Sequence, residues 1–381
     1  MRTLKVFMIL LLFLGAEALA EPFDKGGMRN LFDAMDAAIN EGEGYSKQNN
    51  AAGNLAWAES YLLEAYLNMY EATKDGAYLK KFVRHADRVA GATDKAKGAK
   101  DHRGASLYGW SSTKYGKNRE PVVYLVHSGM ILFPMVRFAE MVKNDPTLSL
   151  HEETARRYVR LAETAVAEFD DTWGADPASG GGFYWSIADD PRKGKLRAPS
   201  ALNVTLSLGR VIVVLYRITG KDAYLEKATG LAKYFKAGLR GGPDGIYVWG
   251  YQQDLKANPR YEDIAHGAID VDFAYQAYRS GIVFTDEDMR RFSRTLIRAK
   301  KGSRYSEYVN GTSNREKPTD YSDSSGRWLE LASCGCEIYE SVSDYMSTRV
   351  ERGKKEHPVV LLGVAKLLKY HDRCRPSEKT P

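Results

Sequence analysis

The chain has 381 residues, with 55 lysines and arginines against 49 aspartates and glutamates, so its formal charge is +6. This modest basic excess suits an anionic partner, but no Lys/Arg run or nucleic-acid motif accompanies it, which argues against DNA or RNA binding. No apolar segment after the N-terminus is long and uncharged enough to predict a membrane span.

The N-terminal segment, residues 1–20, has the pattern of a secretory signal. Arg2 and Lys5 precede a short apolar stretch, and Ala18-Leu19-Ala20 supplies a small-x-small cleavage site. The apolar stretch is too short to cross a bilayer of roughly 30 Å. We therefore expect an exported, periplasmic or secreted protein in which residues 21–381 form a single catalytic domain.

Helical apolar periodicity, interrupted by clusters of Gly, Pro, Asn and Asp, dominates the remaining chain. In chain order, it predicts helices over residues 29–39, 54–72, 77–89, 122–142, 152–169, 199–219, 223–237, 264–280, 285–299, 326–348 and 357–371. This pattern gives about eleven helices and almost no strands.

An internal repeat groups these predicted helices into pairs. The sequence from Tyr70 to Lys81 parallels the sequence from Tyr216 to Lys227, and each joins the end of one helix to the start of the next. Recurring helix pairs are typical of a repeat architecture. We therefore predict an all-α fold in which about six to seven helix pairs close into an α/α toroid. An open solenoid is the alternative.

Long glycine-rich connections separate the pairs, and structureless loops of such length are usually functional. In a toroid these connections would rim one mouth of the ring. They are rich in aromatic residues, which could stack on sugar rings, although single aromatic residues commonly just cover helix ends. The residues that we predict to contact a substrate in this way are Trp110, Tyr184, Trp185, Trp249 and Tyr251.

His266 is the histidine with the most suggestive surroundings. It lies where a loop becomes a helix, and Asp263 and Asp270 lie within about one turn of it, so either carboxylate could orient its ring. Asn203 and His127 begin two other predicted helices, and His127 is a candidate substrate contact.

Arg315 and Tyr321 lie close together in a polar loop before the helix that contains Trp328. Nucleotide-binding, serine-hydrolase and zinc-protease motifs are all missing from the sequence, so any active site must be assembled from scattered residues.

The toroid, together with Asn203, His266, Arg315 and Tyr321 in this order, resembles polysaccharide lyase family 38. The glucuronan and alginate lyases of that family use an Asn, a His, an Arg and a Tyr in the same chain order. The resemblance extends over most of the chain after residue 20. It implies that these four residues are catalytic, that the partner is an acidic polysaccharide, and that no cofactor takes part.

The chemistry of β-elimination explains these residue types. A lyase removes the C5 proton of a uronate and expels the 4-linked sugar, so the carboxylate charge must be neutralised as an oxyanion hole neutralises its intermediate. Asn203, His266 and Arg315 would supply that neutralisation without a metal. Tyr321 would act as both base and acid in a syn elimination, with Arg315 lowering the pKa of its phenol.

Three other functions remain open at this stage. A glycoside hydrolase would need two carboxylates, and Asp263 with Asp270, or Asp323 with either, could serve. A uronate C5-epimerase would share the proton abstraction. A non-catalytic glycan-binding protein would use only the aromatic rim.

The chain contains three cysteines, Cys334, Cys336 and Cys374. A bridge between the first two would be strained because they are only two residues apart. Cys374 could pair with one of them if the C-terminal segment folds back. No metal-type Cys/His spacing occurs.

Overall fold

The computed structural model describes residues 23–186, 198–254, 260–351 and 357–376. The predicted secretory signal lies outside this part of the chain. The α-helices of the described residues are α1 Lys25–Ala38, α2 Ser60–Thr73, α3 Gly76–Ala90, α4 Asp94–Lys97, α5 Leu125–Asn144, α6 Glu152–Ala167, α7 Leu202–Thr219, α8 Asp222–Gly238, α9 Ile264–Arg279, α10 Asp286–Ala299, α11 Glu337–Glu351 and α12 Pro358–Cys374.

Shorter helical pieces and three hairpins complete the structure. A π-helical turn, Leu55–Glu59, leads into α2, and a 3-10 segment, Ser322–Ser333, precedes α11. Further 3-10 turns span Ile39–Gly42, Lys117–Arg119, Pro146–His151, Asp170–Thr172 and Pro243–Gly245. The antiparallel hairpins pair β1 Trp173–Asp176 with β2 Gly181–Tyr184, β3 Arg240–Gly241 with β4 Tyr247–Val248, and β5 Lys300–Lys301 with β6 Arg304–Tyr305.

Six segments form an inner ring: α2, α5, α7, α9, the 3-10 segment and α12. Each packs against the next in chain order, and α12 packs back against α2, which closes the ring. An outer layer covers it, with α3 on α2, α6 on α5, α8 on α7, α10 on α9, α11 on the 3-10 segment and α1 on α12. This arrangement confirms the predicted α/α toroid, with six pairs in the described part of the chain.

Burial explains the difference between the two layers. Helices α5 and α7 are long and apolar enough to cross a membrane by composition, but 94% and 72% of their most apolar windows are buried inside the protein. An inner helix touches neighbours on all sides and is therefore apolar all round. Outer helices such as α3 bury one stripe, formed by Tyr78, Leu79, Phe82, His85, Ala86 and Val89.

Glycines allow the inner segments to approach each other closely. A Cβ atom on Gly129 of α5 would lie 2.4 Å from the backbone of Ser207 in α7. A Cβ on Gly326 of the 3-10 segment would lie 2.5 Å from the Cα of Gly363 in α12. Larger side chains would separate these backbones, so these glycines help to close the ring.

The predicted helix over residues 326–348 is wrong in its first half. The chain forms the 3-10 segment up to Ser333, breaks, and resumes as α11 at Glu337. The break contains Gly335, and glycine disfavours a continuous α-helix. Just beyond the break, Cys336 forms a disulfide with Cys374, and Cys334 is a free thiol.

Buried ion pairs fill the interior of the ring near its middle. Lys366 of α12 lies 2.8 Å from Glu64 of α2 and 3.4 Å from Glu330 of the 3-10 segment. Arg210 of α7 lies 2.8 Å from Asp272 of α9. All five side chains are at most 7% exposed. The ring is therefore packed with side chains at this level.

Candidate functional site

One mouth of the ring contains a cavity of about 270 Å³ built from the starts of four inner segments. Its described lining residues are Trp57, Tyr61, Tyr115, Ala265, His266, Ile269, Ser324, Arg327, His357 and Val359. Tyr115 comes from the long connection before α5, which confirms that this connection reaches the mouth of the ring. Helix N-terminal ends carry unpaired N–H groups and partial positive charge, so such a mouth favours an anion.

His266 stands at the first turn of α9. The Asp263 side chain caps this helix by accepting hydrogen bonds from the backbone N–H groups of Ala265 and His266. The Nδ1 atom of His266 lies 2.8 Å from Oδ2 of Asp263 and 3.5 Å from Oε1 of Glu262. Burial alone would lower the pKa of His266, but the two carboxylates outweigh it and raise this pKa to about 10. The imidazole is therefore a cation at neutral pH.

Two buried carboxyl groups lie behind His266. Burial raises the pKa of Glu262, and it raises the pKa of Asp270 well above its ordinary value, with Glu262 adding to the effect on Asp270. Trp249 Nε1 donates a hydrogen bond of 2.9 Å to Oδ2 of Asp270. Of the two aspartates that sequence analysis placed near His266, Asp263 is the one whose carboxylate contacts the ring.

Arg327 is a second cation of the cavity, and sequence analysis missed it. Its guanidinium donates a 2.8 Å hydrogen bond to the carbonyl of Ala265, and its Cζ atom lies 5.0 Å from the ring centroid of Tyr61. No local sequence signal distinguished it, because its segment also contains Asp323, Glu330 and several serines. His357 also lines the cavity, but its pKa shifts in the opposite direction to that of His266, because burial lowers the pKa of its imidazole. The backbone N–H of Val359 donates a 3.2 Å hydrogen bond to its Nδ1.

The structure places Tyr321 within electrostatic reach of Asp263, outside the described lining of the cavity, and leaves Arg315 exposed. Burial and then the charge of Asp263 raise the pKa of Tyr321, so this phenol lies within electrostatic reach of the His266 partner. This pKa is therefore raised overall, whereas Arg315 was expected to lower it, and Arg315 is not among the main causes of the shift. The arginine that does act to lower it is Arg260, whereas Arg315 is exposed in its loop.

Asn203 is buried in the first turn of α7. The neighbouring Leu202 N–H donates a 3.0 Å hydrogen bond to the carbonyl of Tyr251. The ring of Tyr251 lies 5.9 Å from that of His266, and the Arg260 guanidinium lies 4.3 Å from the Tyr251 ring centroid. Tyr251 therefore stands between the Asn203 segment and His266.

Three of the aromatic residues predicted to contact a substrate are core residues. Trp110, Tyr184 and Trp249 are at most 1% exposed, so these predictions are corrected. The Trp110 Nε1 donates to the carbonyl of Val89, which fixes the loop to α3. Trp185 is half-buried, and its ring meets Phe183 edge-on at 4.6 Å.

His127 is buried beside the cavity. Its Nδ1 lies 3.1 Å from Nδ2 of Asn50, and its ring centroid lies 5.5 Å from that of Trp57 and 5.8 Å from that of Tyr115. Because Trp57 and Tyr115 both line the cavity, His127 supports the cavity wall from behind.

Glu262, Asp263 and His266 also form the one group of potential metal ligands found among the described residues. Their ligand atoms all lie within 4.8 Å of one another. The Nδ1 of a protonated His266 would have to lose its proton before it could coordinate a cation. The donor set is thus compatible with a divalent ion only in competition with that proton.

No protein-family model matches the chain, and no curated protein sequence matches it. Solved structures do match it. One is an inactive variant of the α-1,6-mannanase GH76A of Salegentibacter sp. HEL1_6, in which two adjacent aspartates are replaced by alanine and α-1,6-mannotetrose is bound. Its identity to this chain is 14%, with a TM-score of 0.57. The similarity covers 91% of this chain and 98% of that one.

Two other neighbours extend the comparison. The unsaturated glucuronyl hydrolase from Bacillus sp. GL1, responsible for glycosaminoglycan degradation, has 14% identity and a TM-score of 0.54, over 92% of this chain and 96% of its own. The cellobiose 2-epimerase from Spirochaeta thermophila has 12% identity and a TM-score of 0.50, over 91% and 97%. These neighbours are α/α toroid enzymes that act on carbohydrates. The resemblance to polysaccharide lyase family 38 is thus supported for the architecture only.

Proposed function

We propose that this protein is an enzyme that cleaves a uronate-containing polysaccharide by β-elimination in the cavity lined by His266 and Arg327. One observation, the charge of the side chains that line the cavity, supports this proposal above all. The described residues that line this cavity include two cations, His266 and Arg327, and no carboxylate. Such a site offers a sugar carboxylate N–H donors from both cations, while the Asp263 carboxylate that balances the imidazolium lies outside the lining.

The two cations have a defined role in this chemistry. A uronate carboxylate held between the His266 imidazolium and the Arg327 guanidinium loses much of its negative charge, which makes the adjacent C5 proton more acidic. The same groups stabilise the enolate-like charge that develops as the proton leaves. With a pKa of about 10, His266 keeps its proton and acts as a neutraliser instead of a base.

The base is a phenol of the cavity, and we assign it to Tyr61. Tyr61 and Tyr115 are the tyrosines among the described lining residues. The Arg327 guanidinium lies over the Tyr61 ring, so negative charge on this phenol during proton transfer has a cation beside it. As its phenolate, Tyr61 takes the C5 proton, and the phenol so formed returns this proton to O4 as the C4–O4 bond breaks and the C4–C5 double bond forms. The products are a new reducing end and a 4,5-unsaturated uronate.

A glycoside hydrolase is the second candidate. Glu262 and Asp263 are adjacent carboxylates, and the inactive mannanase variant carries substitutions at two adjacent aspartates. A hydrolase needs one carboxyl group near the leaving oxygen and another on the opposite side of the sugar. The side chains of Glu262 and Asp263 are 0% and 2% exposed, and both face His266, so this arrangement fits the hydrolase less well.

A panel of polymers tests the proposal. The protein is incubated with polyglucuronate, polymannuronate, an alternating uronate–hexose polymer and a neutral α-1,6-mannan, and both reducing ends and ultraviolet absorbance are recorded. We expect absorbance to rise together with reducing ends on at least one acidic polymer, and His266→Gln to suppress both. Reducing ends without absorbance, especially from the mannan, would instead identify a hydrolase.

A further inference from the structure

One wall of the proposed active-site cavity is built at the π-helical turn Leu55–Glu59. Trp57 belongs to this turn, Tyr61 follows it by two residues, and both side chains line the cavity. Single π-helical turns beside α-helices are rare and are frequently found at functional sites. The backbone of this turn therefore determines where the phenol of Tyr61 stands.

Hydrogen bonds within the segment define the end of the π-helical turn. The backbone N–H of Ser60 donates to the carbonyl of Leu55, five residues earlier, which is the π-helical spacing. The Ser60 hydroxyl donates another hydrogen bond, of 2.6 Å, to the carbonyl of Ala56. These local bonds fix the internal shape of the turn, and its position against the outer layer of the toroid depends on other contacts.

Glu59, the last residue of the turn, makes such contacts in two directions. Its Oε2 accepts a 2.6 Å hydrogen bond from the backbone N–H of Tyr45, and its Oε1 lies 2.8 Å from Nδ1 of His85 in the outer helix α3. The side chains of Glu59 and His85 are both 0% exposed. One carboxyl group thus ties the turn to α3 and to the segment that follows α1.

The surrounding chain is shaped to keep these contacts. Gly44 has a positive φ of 52°, and a Cβ atom at this position would lie 2.8 Å from Oε2 of Glu59. A side chain here would therefore push the backbone away and withdraw the Tyr45 N–H. On the opposite side, the ring of His85 meets the ring of Tyr66 edge-on at 5.5 Å, which restricts how the imidazole can turn.

Buried acid–base pairs contribute little net stability. Apolar side chains of similar size often serve as well or better, because both polar groups must lose their water when they are buried. Apolar side chains form no directed bonds, however, whereas Glu59 joins three segments of the chain at defined distances. The pair of Glu59 and His85 is therefore better suited to positioning the turn than to stabilising the fold.

We propose that Glu59 and His85 are positioning residues, which hold the π-helical turn so that the phenol of Tyr61 meets the C5 proton of the substrate. The catalytic consequence rests on the proposed lyase function, whereas the hold on the turn does not. Neither residue is among the described lining residues of the cavity, so the pair acts through Tyr61. A misplacement of about 1 Å caused by a change away from the reacting atoms can cost about 100-fold in rate.

A double variant separates positioning from folding. Glu59→Met/His85→Leu replaces both members with apolar side chains, so that neither is left buried without the other. We expect this variant to fold and to lower kcat on the acidic polymer by about 10- to 100-fold, with a small change in KM. Lys80→Gln, an exposed change on α3, is the matched control and should leave kcat unchanged. An unchanged kcat in the folded double variant would overturn the proposal.

Two conservative variants at Glu59 refine this test. Glu59→Gln keeps an acceptor for the Tyr45 N–H and a polar group facing His85, so it should retain most of the original kcat. Glu59→Asp keeps the carboxylate but is one methylene too short to reach both partners, so it should lower kcat. Thermal melts establish that each variant is folded. If the double variant does not fold, Glu59→Asp decides the matter, and an unchanged kcat there contradicts the proposal.

A double-mutant cycle tests whether the pair acts through Tyr61. In a Tyr61→Phe background the proton acceptor is already missing, so Glu59→Met/His85→Leu should have little further effect on kcat. A pair with a merely structural role would lower kcat by the same factor in both backgrounds, and that outcome would refute the positioning role.

Hydrogen exchange measures the hold on the turn without turnover. Amide exchange across residues 55–61 should be faster in Glu59→Met/His85→Leu than in the original protein or in Glu59→Gln. If no polymer gives an unsaturated product, the lyase function fails, and the exchange rates still decide whether the pair holds the turn. If an unsaturated product forms but neither exchange nor kcat responds to the double variant, the positioning role alone fails.

Discussion

The Nδ1 atom of His266 lies 2.8 Å from Oδ2 of Asp263, the residue whose other carboxylate oxygen caps the helix that carries His266. One carboxylate therefore fixes both where α9 begins and which charge the imidazole has. Because His266 is only one-third exposed and is also close to Glu262, water does little to weaken this pairing.

The first prediction concerns pH. Since the pKa of His266 is raised to about 10, we expect lyase activity to persist into alkaline solution and to fall as the pH rises through about 10. Asp263→Asn keeps a capping oxygen but removes the charge, so the falling limb should move to lower pH. A pH–rate profile, with an NMR titration of the His266 ring, measures both effects.

The pH dependence of stability should also be determined by His266. A histidine whose pKa rises from 6.5 to about 10 on folding contributes stability that is complete below pH 6.5 and is lost as the pH rises through 10. Asp263→Asn should reduce this dependence, and Asp222→Asn, an exposed change at the start of α8, should not. An unchanged alkaline limb in Asp263→Asn would show that Asp263 does not set the charge of His266.

The second prediction concerns metal ions. We expect treatment with EDTA to leave activity unchanged, because His266 and Arg327 already supply the positive charge that the uronate carboxylate requires. Activity before and after chelation, followed by addition of Ca²⁺, Mn²⁺ or Zn²⁺, checks this. Loss on chelation and recovery with one ion would indicate that Glu262, Asp263 and His266 hold a cation during catalysis.

The third prediction compares two arginines. Arg327→Gln should lower kcat/KM on the acidic polymer by about 100- to 1,000-fold, as expected for loss of a group that stabilises developing negative charge. Arg327→Lys should recover part of this loss, because it restores charge without the planar guanidinium. Thermal melts of each variant are needed, since Arg327 also binds the Ala265 carbonyl. If only Arg315→Gln impairs turnover, Arg315 is the catalytic arginine, as the sequence predicted.

Helical periodicity and the internal repeat were sufficient to predict the toroid, because a helix shows its buried face within a few turns and the repeat shows that helices come in pairs. The position of His266 at a helix start was also readable, since Asp263 precedes it by three residues. Arg327 was not, because its hydrogen-bond partner, Ala265, is 62 residues away. Local sequence does not indicate which arginine will reach the mouth of the ring.

The aromatic residues show a second limit of sequence reasoning. Tyr184 ends β2 and Trp185 directly follows it, yet Tyr184 is fully buried and Trp185 is not. Burial does not alternate along this four-residue strand, because Gly182, Phe183 and Tyr184 are all buried, so the period-2 pattern of a half-buried strand was not there to be read. Aromatic content alone therefore overestimated the exposed stacking surface.

The fourth prediction concerns the disulfide. The bond between Cys336 and Cys374 closes a loop of 38 residues and holds the end of α12 beside the start of α11. Replacing both cysteines with serine should lower the free energy of unfolding by about 2–4 kcal/mol through loss of this constraint on the unfolded chain. Chemical denaturation under oxidising conditions measures this change in the free energy of unfolding. Cys334→Ser serves as the control and should change stability little, and an equal loss in the two variants would contradict the prediction.

The last prediction identifies the base. Tyr61→Phe should lower kcat on the acidic polymer by at least about 100-fold with a small change in KM, because it removes the proton acceptor and retains the ring that packs under Arg327. Tyr115→Phe and Tyr321→Phe are the comparison variants. Burial and Asp263 raise the pKa of Tyr321, so this phenol is poorly suited to take a proton at neutral pH. Formation of the unsaturated product, followed by its absorbance, distinguishes the three variants. Loss confined to Tyr321→Phe would return the role of base to Tyr321, and loss confined to Tyr115→Phe would assign it to the rim of the cavity.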